Sequence, residues 1–210
     1  METIFFIAVL IFSVVLHEVS HGYMANWLGD PTARLQGRLT LNPISHIDPI
    51  GSILLPLLLK LSGSPFLIGY AKPVPYNPYN LRGRYAEALV AFAGPAVNIF
   101  LAAIFGLAIR FFGSSLDASM LSAFEIIVIT NMVLALFNLI PIPPLDGSKI
   151  LSGILPGALG RGYDSFRANF EQLGILPGTL LILVVFYFLA PFLLVSVLLP
   201  LFSILTGGGI

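Results

Sequence analysis

The stretch "IFSVVLHEVSHGYMANWLGD", residues 11–30, joins an apolar helix to a cluster of polar side chains. Residues 3–16 carry no charge, which is typical of a segment buried in a membrane, and His17, Glu18 and His21 follow within the same apolar run. An ionisable side chain at the centre of a bilayer costs roughly 2.5–3.5 kcal/mol on insertion scales. We therefore expect these three side chains to have a function that offsets this cost.

Composition predicts an integral membrane protein. The chain has 210 residues, of which 57% are hydrophobic and 10% are charged, and its mean hydropathy is +0.97. A soluble domain has about 25% charged residues. We expect one all-α, polytopic membrane domain over residues 1–210. The net charge of zero gives no electrostatic footprint for nucleic acid, and the absence of cysteine excludes disulfides and thiolate metal ligands.

The apolar stretches predict three core transmembrane helices and further segments around them. The core crossings are expected at 3–27, 85–112 and 119–140. The stretch 49–71 is apolar but is interrupted by prolines and by Lys60, which favours a re-entrant or interfacial segment. The stretch 175–206 contains Pro191 and Pro200, so it forms either one long helix or two C-terminal transmembrane helices.

Two polar stretches predict extended backbone. The sequence "RLQGRLTL", residues 34–41, alternates apolar and polar side chains and predicts a small β element. The proline-rich stretch 72–84 is also expected to be extended. Segments 37–42 and 72–79 are candidate edge strands that could hold an extended peptide by β-augmentation.

The positions of lysine and arginine predict the orientation. Six of the ten basic residues lie within 34–84 and three more within 149–167. Basic residues are retained on the cytoplasmic side of a membrane. We therefore expect a multi-pass cell-membrane protein with its N-terminus outside and with 30–84 and 141–174 in the cytoplasm. The polar cluster on the first helix then lies in the cytoplasmic half.

The sequence "HEVSH" is an H-E-x-x-H motif, and its spacing suits a metal site. Residues four apart on a helix share a face, so His17 and His21 can direct their imidazoles at one zinc ion. Glu18 lies about 100° around the helix, next to the metal but outside the chelate. It is therefore placed to act as a general base toward a water molecule that the metal activates.

A catalytic zinc ion usually has three protein ligands, so one more is needed. The candidates near a membrane face are His46, Asp48, Glu87, Glu125 and Asp146. Asp146 follows the span 119–140, which runs outside-to-inside like the first span, so it reaches the same depth as residues 17–21. Its alternative role is that of a turn residue in the pair Asp-Gly. Beside the H-E-x-x-H motif, topology favours Asp146 as the third ligand.

These motifs resemble those of the site-2 protease family of intramembrane zinc metalloproteases. The family's second motif, N-x-x-P-x-P-x-x-D-G, is matched by Asn138, Pro141, Pro143, Asp146 and Gly147. The sequences "AGPAVN" at 93–98 and "GRLTLNPISHIDPIG" at 37–51 look like those of compact bacterial members without a PDZ or nucleotide-sensing domain. The resemblance covers nearly the whole chain.

The resemblance implies one zinc ion per chain, bound by His17, His21 and Asp146, with Glu18 as the general base. It also implies that Asn138 contacts the substrate near the scissile bond. The alternative for Asn138 is an interhelical hydrogen bond.

Two further polar residues are candidate substrate contacts with competing structural roles. Asn98 could contact substrate, could orient a metal ligand or could bridge helices, and bridging is favoured. His46 is expected to be a solvated loop residue, with a role in substrate binding as the alternative.

The function expected from these residues is hydrolysis of peptide bonds within or near the transmembrane segment of a single-span protein, in regulated intramembrane proteolysis. Two other classes remain open. One is a catalytically silent zinc-binding scaffold or chaperone. The other is a zinc transporter, although the chain lacks the internal repeat that transporters often show. The expected partners are the substrate and the lipid bilayer, and the sequence leaves the oligomeric state open.

Overall fold

The computed structural model describes residues 2–61, 63, 69–172 and 174–208, and the regular elements in these ranges are all helical. The α-helices are α1 (Glu2–Trp27), α2 (Thr32–Leu35), α3 (Leu55–Leu61), α4 (Ala86–Phe112), α5 (Ala118–Asn138), α6 (Asp146–Ile154), α7 (Gly157–Gln172), α8 (Ile175–Leu193) and α9 (Leu199–Thr206). Single 3-10 turns occur at Pro43–His46, Pro78–Asn80 and Gly113–Ser115, and wider π-helical turns at Pro49–Leu54 and Leu194–Leu198. The prediction of an all-α fold is confirmed.

Four helical stretches among the described residues are long and apolar enough to cross a membrane. They are Thr3–Trp27, Ala86–Ser115, Ala118–Asn138 and Leu183–Thr206. The first three agree with the predicted core spans. The chain is therefore a multi-pass membrane protein.

The C-terminal stretch forms one helical run rather than two separate helices. Helix α8 continues through the π-helical turn Leu194–Leu198 into α9. Pro191 lies inside α8, and Pro200 lies in the first turn of α9, where the missing N–H costs little. The two prolines therefore perturb the helical hydrogen bonds locally without ending the helix.

Helix α4 is the central element and packs against α1, α5, α6 and α9. Its buried face is rich in alanine and glycine, including Ala91, Gly94, Ala102 and Gly106. Small residues let membrane helices approach closely, because association there depends on van der Waals packing and not on the hydrophobic effect. The close packing of α1 against α4 brings the polar end of α1 next to Gly94.

The stretch 49–61 is too short to cross a bilayer. It comprises the turn Pro49–Leu54 and α3, and at 1.5 Å per residue these 13 residues span about 20 Å, against the ~30 Å of a hydrocarbon core. Asp48 begins the segment by accepting hydrogen bonds from the backbone N–H groups of Ile50 and Gly51. This agrees with the predicted re-entrant or interfacial segment, of which positions 62 and 64–68 lie outside the described residues.

The predicted small β element is wrong. The described residues 34–41 contain no strand, since the end of α2 is followed by extended chain. A strand requires repeated backbone pairing with a neighbour. Here Arg38 instead donates its side-chain Nη2 to the carbonyl oxygen of Lys72 at 3.0 Å. The alternation of side chains in 34–41 is therefore not accompanied by the backbone pairing of a sheet.

Residues 69–77, which we call the strap, form an extended segment that contacts the C-terminal part of α1 and the residues that follow it. The backbone N–H of Lys72 donates to the carbonyl oxygen of His46 at 2.8 Å. The N–H of Val74 donates to Glu18 Oε2 at 3.0 Å, and the N–H of Asn77 donates to Asp30 Oδ2 at 2.6 Å. The N–H of Tyr70 also donates to the carbonyl oxygen of Gly51 at 3.1 Å, so the strap is tied along its length through its backbone.

His46 belongs to this tie and is not the solvated loop residue that the sequence predicted. Its side chain is only 2% exposed, and its Nε2 lies 2.9 Å from the carbonyl oxygen of Thr40, to which it donates. The backbone carbonyl of His46 holds the strap. Burial follows because the 3-10 turn Pro43–His46 folds the ring back under the extended chain.

Asp30 holds the end of the strap with a carboxylate that accepts several hydrogen bonds, and we expect Asp30→Ala to lower stability. The carboxylate is fully buried and accepts hydrogen bonds from Thr32, Asn77 and Asn80. Removing a charged acceptor costs about 1.5–3 kcal/mol per bond and leaves buried donors unpaired. Asp30→Ala should therefore lower the thermal midpoint in detergent and expose the strap to limited proteolysis. The control Thr32→Val removes one side-chain donor and should have a much smaller effect. An unchanged midpoint for Asp30→Ala would contradict the tie.

Candidate metal centre

Helix α1 carries two imidazoles on one face, one turn apart, and directs them at α4 and at the start of α6. His17 is 6% exposed and His21 is 9% exposed. Their Nε2 atoms lie 3.0 and 3.3 Å from Asp146 Oδ2. Asp146 is the first residue of α6. His17 and Asp146 are 129 residues apart in the sequence, and the fold brings them together.

The spacing of these donor atoms suits a tetrahedral metal ion. Zinc binds imidazole nitrogen and carboxylate oxygen at about 2.0–2.2 Å, so neighbouring ligand atoms of a tetrahedral site lie about 3.3 Å apart. The observed separations of 3.0 and 3.3 Å are close to that value. Among the described residues, His17, His21 and Asp146 are the group of side chains that could hold a metal ion.

The backbone of α4 orients the second imidazole. His21 Nδ1 lies 2.7 Å from the carbonyl oxygen of Val90. A carbonyl oxygen only accepts, so Nδ1 carries a proton, and Nε2 is the ring nitrogen that faces Asp146. His17 Nδ1 lies 2.6 Å from Asn98 Oδ1. Both imidazoles thus have their Nδ1 atoms engaged, which leaves both Nε2 atoms for a metal.

Two glycines give the ligands the space they need. A Cβ at Gly94 would lie 2.5 Å from His21 Nε2 and 2.6 Å from His17 Nε2, so any side chain there would occupy the position of the metal. A Cβ at Gly147 would lie 2.3 Å from the carbonyl oxygen of Leu139. Gly147 therefore lets the chain after α5 fold back closely enough to place Asp146.

The carboxyl of Asp146 is ionised in this setting. Burial alone raises its pKa, but contacts with the imidazoles of His17 and His21 outweigh burial and lower the pKa well below its usual value. A carboxylate oxygen and two imidazole nitrogens form a ligand set that zinc prefers in catalytic sites.

Glu18 lies beside the ligand group rather than within it. Its Oε2 accepts a hydrogen bond from the backbone N–H of Val74 at 3.0 Å, so the strap fixes the position of the carboxylate. Glu18 lines the same cavity as His17 and His21. This is the arrangement expected of a general base that acts on a water molecule next to the ligands.

A cavity of about 610 Å³ opens onto the ligand group. It lies between α1, α4, the strap and the start of α6, and it also reaches the α7–α8 region. The residues that line it include Tyr70, Val74, Tyr76, Asn138, Leu145 and Lys149. The volume falls within the range of about 300–1,000 Å³ that ligand pockets have.

Lys149 and Tyr76 form a polar wall of this cavity that the sequence analysis did not single out. The Nζ of Lys149 lies 5.3 Å from the centre of the Tyr76 ring. Burial alone lowers the pKa of Lys149, but Tyr76 and the Asp146 carboxylate outweigh it and raise the pKa, so the side chain is a cation. Lys149 follows Asp146 by three residues on α6, and this helical spacing was the available signal.

The structure places the three other predicted site residues differently from one another. Asn138 lines the cavity and donates its Nδ2 to the carbonyl oxygen of Leu134 on its own helix. Asn98 is fully buried and contacts His17 instead of the cavity. His46 holds the strap.

The remaining carboxylates considered as third ligands have other partners or positions. Asp48 caps the turn that begins at Pro49. Glu87 pairs with Arg167 at 3.2 Å. Glu125 precedes Asn138 by 13 residues on α5, a distance of about 20 Å along the helix.

The chain is similar in sequence to known proteins. The sequence profile of peptidase family M50 matches residues 106–185, which include Asn138 and Asp146. A candidate zinc metalloprotease of Bacillus subtilis, YwhC, is 40% identical over 161 residues, which cover 72% of this chain and 69% of YwhC. The chain belongs to peptidase family M50.

Other similar proteins are longer than this member of family M50. The candidate zinc metalloprotease Rip2 of Mycolicibacterium smegmatis is 32% identical over 141 residues, which cover 67% of this chain but 53% of Rip2. Rip3 of Mycobacterium tuberculosis, named in the same way, is 42% identical over 81 residues, or 38% of this chain and 20% of Rip3. No solved structure matches the chain significantly.

The contact at Gly94 gives a prediction for this member of family M50. Gly94→Ala places a methyl group about where the metal would sit, so we expect zinc affinity to fall by at least about 10-fold, as for other changes that displace a ligand. The control is Gly113→Ala at the end of the same helix, where the nearest atom would be 3.8 Å away. Zinc affinity, measured by competition with a chromogenic chelator, should be unchanged in the control. Equal affinities for the wild type and Gly94→Ala would contradict the geometry.

Proposed function

We propose that the protein is a zinc-dependent endopeptidase that cleaves peptide bonds within or near the transmembrane segment of single-span membrane proteins. The observation that carries this proposal is the convergence of His17 and His21 with Asp146, whose Oδ2 lies 3.0 and 3.3 Å from their Nε2 atoms, beside Glu18. The two histidines and Glu18 lie on a helix that is long and apolar enough to span a membrane. Membership in peptidase family M50 supports the same chemistry.

Zinc would be held by His17, His21 and Asp146. When bound, it would supply the Lewis acidity that lowers the pKa of a water molecule and polarises the carbonyl of a peptide bond. Glu18 would accept the proton of the attacking water and transfer it to the leaving amine. The hydrogen bond from the N–H of Val74 holds Glu18 Oε2 toward the strap, which leaves its other oxygen for this proton.

The walls of the cavity would bind the peptide. Asn138 lies at the end of α5 and on the cavity surface, with its Nδ2 bonded to Leu134, so its carbonyl oxygen is the group available to a peptide N–H. Lys149 would place a positive charge beside the site. The strap is extended, and its remaining backbone groups could pair with an unwound substrate, which is how the β-augmentation predicted from sequence would operate.

The location and direction of the active site are part of the proposal. The excess of Lys and Arg in 30–84 and 141–174 supports a cytoplasmic position for these segments. His17 and His21 lie in the second half of α1, toward the end that leads to Asp30. The active site would therefore face the cytoplasmic half of the cell membrane and cut substrates there, in regulated intramembrane proteolysis.

Two functions of other classes use the same residues. A silent zinc-binding scaffold would need the ligands but not Glu18, and a zinc transporter would need several metal sites along a path. The part of the chain that the structure describes holds one such ligand group, and Glu18 is present beside it. Both observations favour the peptidase.

The experiment is proteolysis in liposomes. Purified protein is reconstituted with a set of fluorescent single-span proteins, and fragments are detected by gel and mass spectrometry. The proposal predicts cleavage that a zinc chelator stops and added zinc restores. Binding of a single-span protein without cleavage would favour the scaffold, and zinc flux across the vesicle would favour the transporter. Either result in place of cleavage would overturn the proposal.

A further inference from the structure

Three buried polar side chains from three membrane-spanning helices form a network behind His17. Asn98 on α4 and Asn131 on α5 are both 0% exposed, and Ser13 on α1 is 4% exposed. Asn98 Nδ2 donates to Asn131 Oδ1 at 2.8 Å, and Asn131 Nδ2 donates to Ser13 Oγ at 3.0 Å. His17 Nδ1 lies 2.6 Å from Asn98 Oδ1. The network ends on a proposed metal ligand.

The direction of each hydrogen bond in this network is determined by one backbone carbonyl. Asn131 Nδ2 lies 2.9 Å from the carbonyl oxygen of Ile127, which can only accept. This contact fixes which end of the Asn131 amide carries the nitrogen, so Asn131 presents its oxygen to Asn98. Asn98 must then present its own nitrogen to Asn131. The carbonyl oxygen of Ser13, 3.4 Å from Asn98 Nδ2, fits the same orientation.

The orientation of Asn98 decides the protonation of His17. With its nitrogen turned toward Asn131, Asn98 can offer only its oxygen to the imidazole, 2.6 Å away. An oxygen acceptor requires a proton on Nδ1, so when His17 binds a metal as a neutral imidazole, its lone pair is on Nε2, the atom that faces Asp146 Oδ2 at 3.0 Å. The opposite tautomer would place a proton where the metal ion has to bind.

We propose that Asn98 and Asn131 are positioning residues that fix His17 in the Nδ1–H tautomer and thereby hold its Nε2 lone pair toward the metal. The Ile127 carbonyl fixes the orientation of the Asn131 amide, and Asn131 fixes that of the Asn98 amide. Asn98 in turn fixes the tautomer of His17. His21 obtains the same tautomer from the carbonyl of Val90 alone. The two ligands are thus oriented by different elements, His21 by α4 alone and His17 by α4 and α5 together.

This role goes beyond helix bridging, which would also place asparagines between membrane helices. Bridging alone makes no demand on the direction of the amides and none on the imidazole. Partners of metal-ligating histidines typically contribute 10–100-fold to metal affinity. The inference rests on the proposed zinc site but not on the proposed peptidase activity, and the two can be separated by measurement.

The test uses the zinc-loaded protein labelled with 15N-histidine. The chain has only three histidines, of which His46 lies outside the metal site, so the imidazole signals can be assigned with single variants. In the wild type, we expect His17 to bind zinc through Nε2 and to show a slowly exchanging Nδ1 proton. A wild-type His17 that binds zinc through Nδ1, or that lacks an Nδ1 proton, would overturn the inference without any variant.

Variants of Asn98 separate orientation from packing. Asn98→Leu keeps the number and branching of the side chain's heavy atoms but removes the acceptor, so zinc affinity should fall about 10–100-fold and the Nδ1 proton should exchange rapidly. Asn98→Asp keeps an oxygen acceptor for His17 but replaces the donor to Asn131 Oδ1, so the loss of zinc affinity should be smaller than in Asn98→Leu and the Nδ1 proton should stay protected. Unchanged affinity and unchanged exchange in Asn98→Leu would overturn the inference, and so would an equal loss in Asn98→Asp.

Asn131 supplies the second step, and its neighbour supplies the control. Asn131→Leu removes the group that fixes the Asn98 amide, which can then rotate by 180°. Zinc affinity should therefore fall several-fold, and the proton on His17 Nδ1 should exchange faster. Thr130→Val also replaces a polar group by a carbon group of similar shape, at the buried position before Asn131 on α5. It should alter neither zinc affinity nor the exchange of the proton. Equal effects of Asn131→Leu and Thr130→Val would show a packing effect only and would overturn the inference. Absence of zinc from the wild type would overturn both proposals, whereas zinc binding with the expected tautomer but no proteolysis would overturn the peptidase alone.

Discussion

Glu18→Gln is expected to keep one zinc ion per chain and to cleave a single-span substrate at least about 100-fold more slowly than wild type, since general-base catalysis contributes about 10²–10⁴-fold. The amide of glutamine has nearly the size of the carboxylate, and Glu18 is not among the metal ligands. Its oxygen can still accept the hydrogen bond from the N–H of Val74, so the strap should stay in place. What the variant loses is the ability to take a proton from water.

The measurement is cleavage in liposomes, with zinc content determined in the same preparations. Glu125→Gln is the control, because it makes the same chemical change on α5, away from the cavity. The control should cleave at the wild-type rate. Cleavage by Glu18→Gln at the wild-type rate would remove Glu18 from the mechanism. Loss of zinc from Glu18→Gln would mean that it holds the metal in place of Asp146.

The double variant His17→Ala, His21→Ala is expected to bind no zinc and to have no activity. Removing both imidazoles leaves a single carboxylate, and a catalytic zinc site needs about three protein ligands. Zinc content should fall from about one ion per chain to a background level, as measured by mass spectrometry after dialysis against a weak chelator.

Asp146→Asn, which keeps the size of the side chain but removes its charge, should lower zinc affinity strongly without abolishing folding.

His46→Gln is the control for this experiment, since it removes the third histidine of the chain. His46 lies under the strap and donates to Thr40, so its loss should leave one zinc ion per chain. Retention of zinc by the double variant would contradict the ligand assignment. A loss of zinc in His46→Gln equal to that of the double variant would indicate that the zinc site lies at the strap.

The sequence carried the information for the core helices and for the ligand group because both depend on local patterns. The apolar runs on α1, α4 and α5 are long and nearly free of charge, so they could be recognised one at a time. The two histidines of the motif share a helical face. Asp146 could be added because both α1 and α5 run in the same predicted direction, which places their ends at one depth.

The prolines in 72–84 indicated extended chain, but the ties of the strap could not be predicted, because they are contacts between distant parts of the chain. The alternation in residues 34–41 indicated a strand, but the backbone there finds no strand partner among the described residues. His46 was expected to be solvated because its neighbours are polar. Its burial depends on Thr40 and on the strap, whose position no local pattern specifies.

For Asn98, the residue type alone predicted that the side chain has a polar partner but not which partner. The sequence indicated that a polar side chain inside a membrane helix needs a partner, and it left three roles open. The choice required the distances to His17 and Asn131, which only the packing of α1, α4 and α5 supplies. Lys149 was missed for a similar reason, since its cation contacts Tyr76 on the strap.

The most direct test of the proposed activity is the position of the cut in a reconstituted substrate. A single-span protein cleaved in liposomes would be analysed by mass spectrometry of both fragments. The zinc site on α1 predicts a scissile bond within or at the edge of the substrate's membrane span, in the half that faces the Lys- and Arg-rich segments, with both fragments absent from Glu18→Gln. Fragments that arise only from soluble loops, or that appear equally with Glu18→Gln, would contradict it.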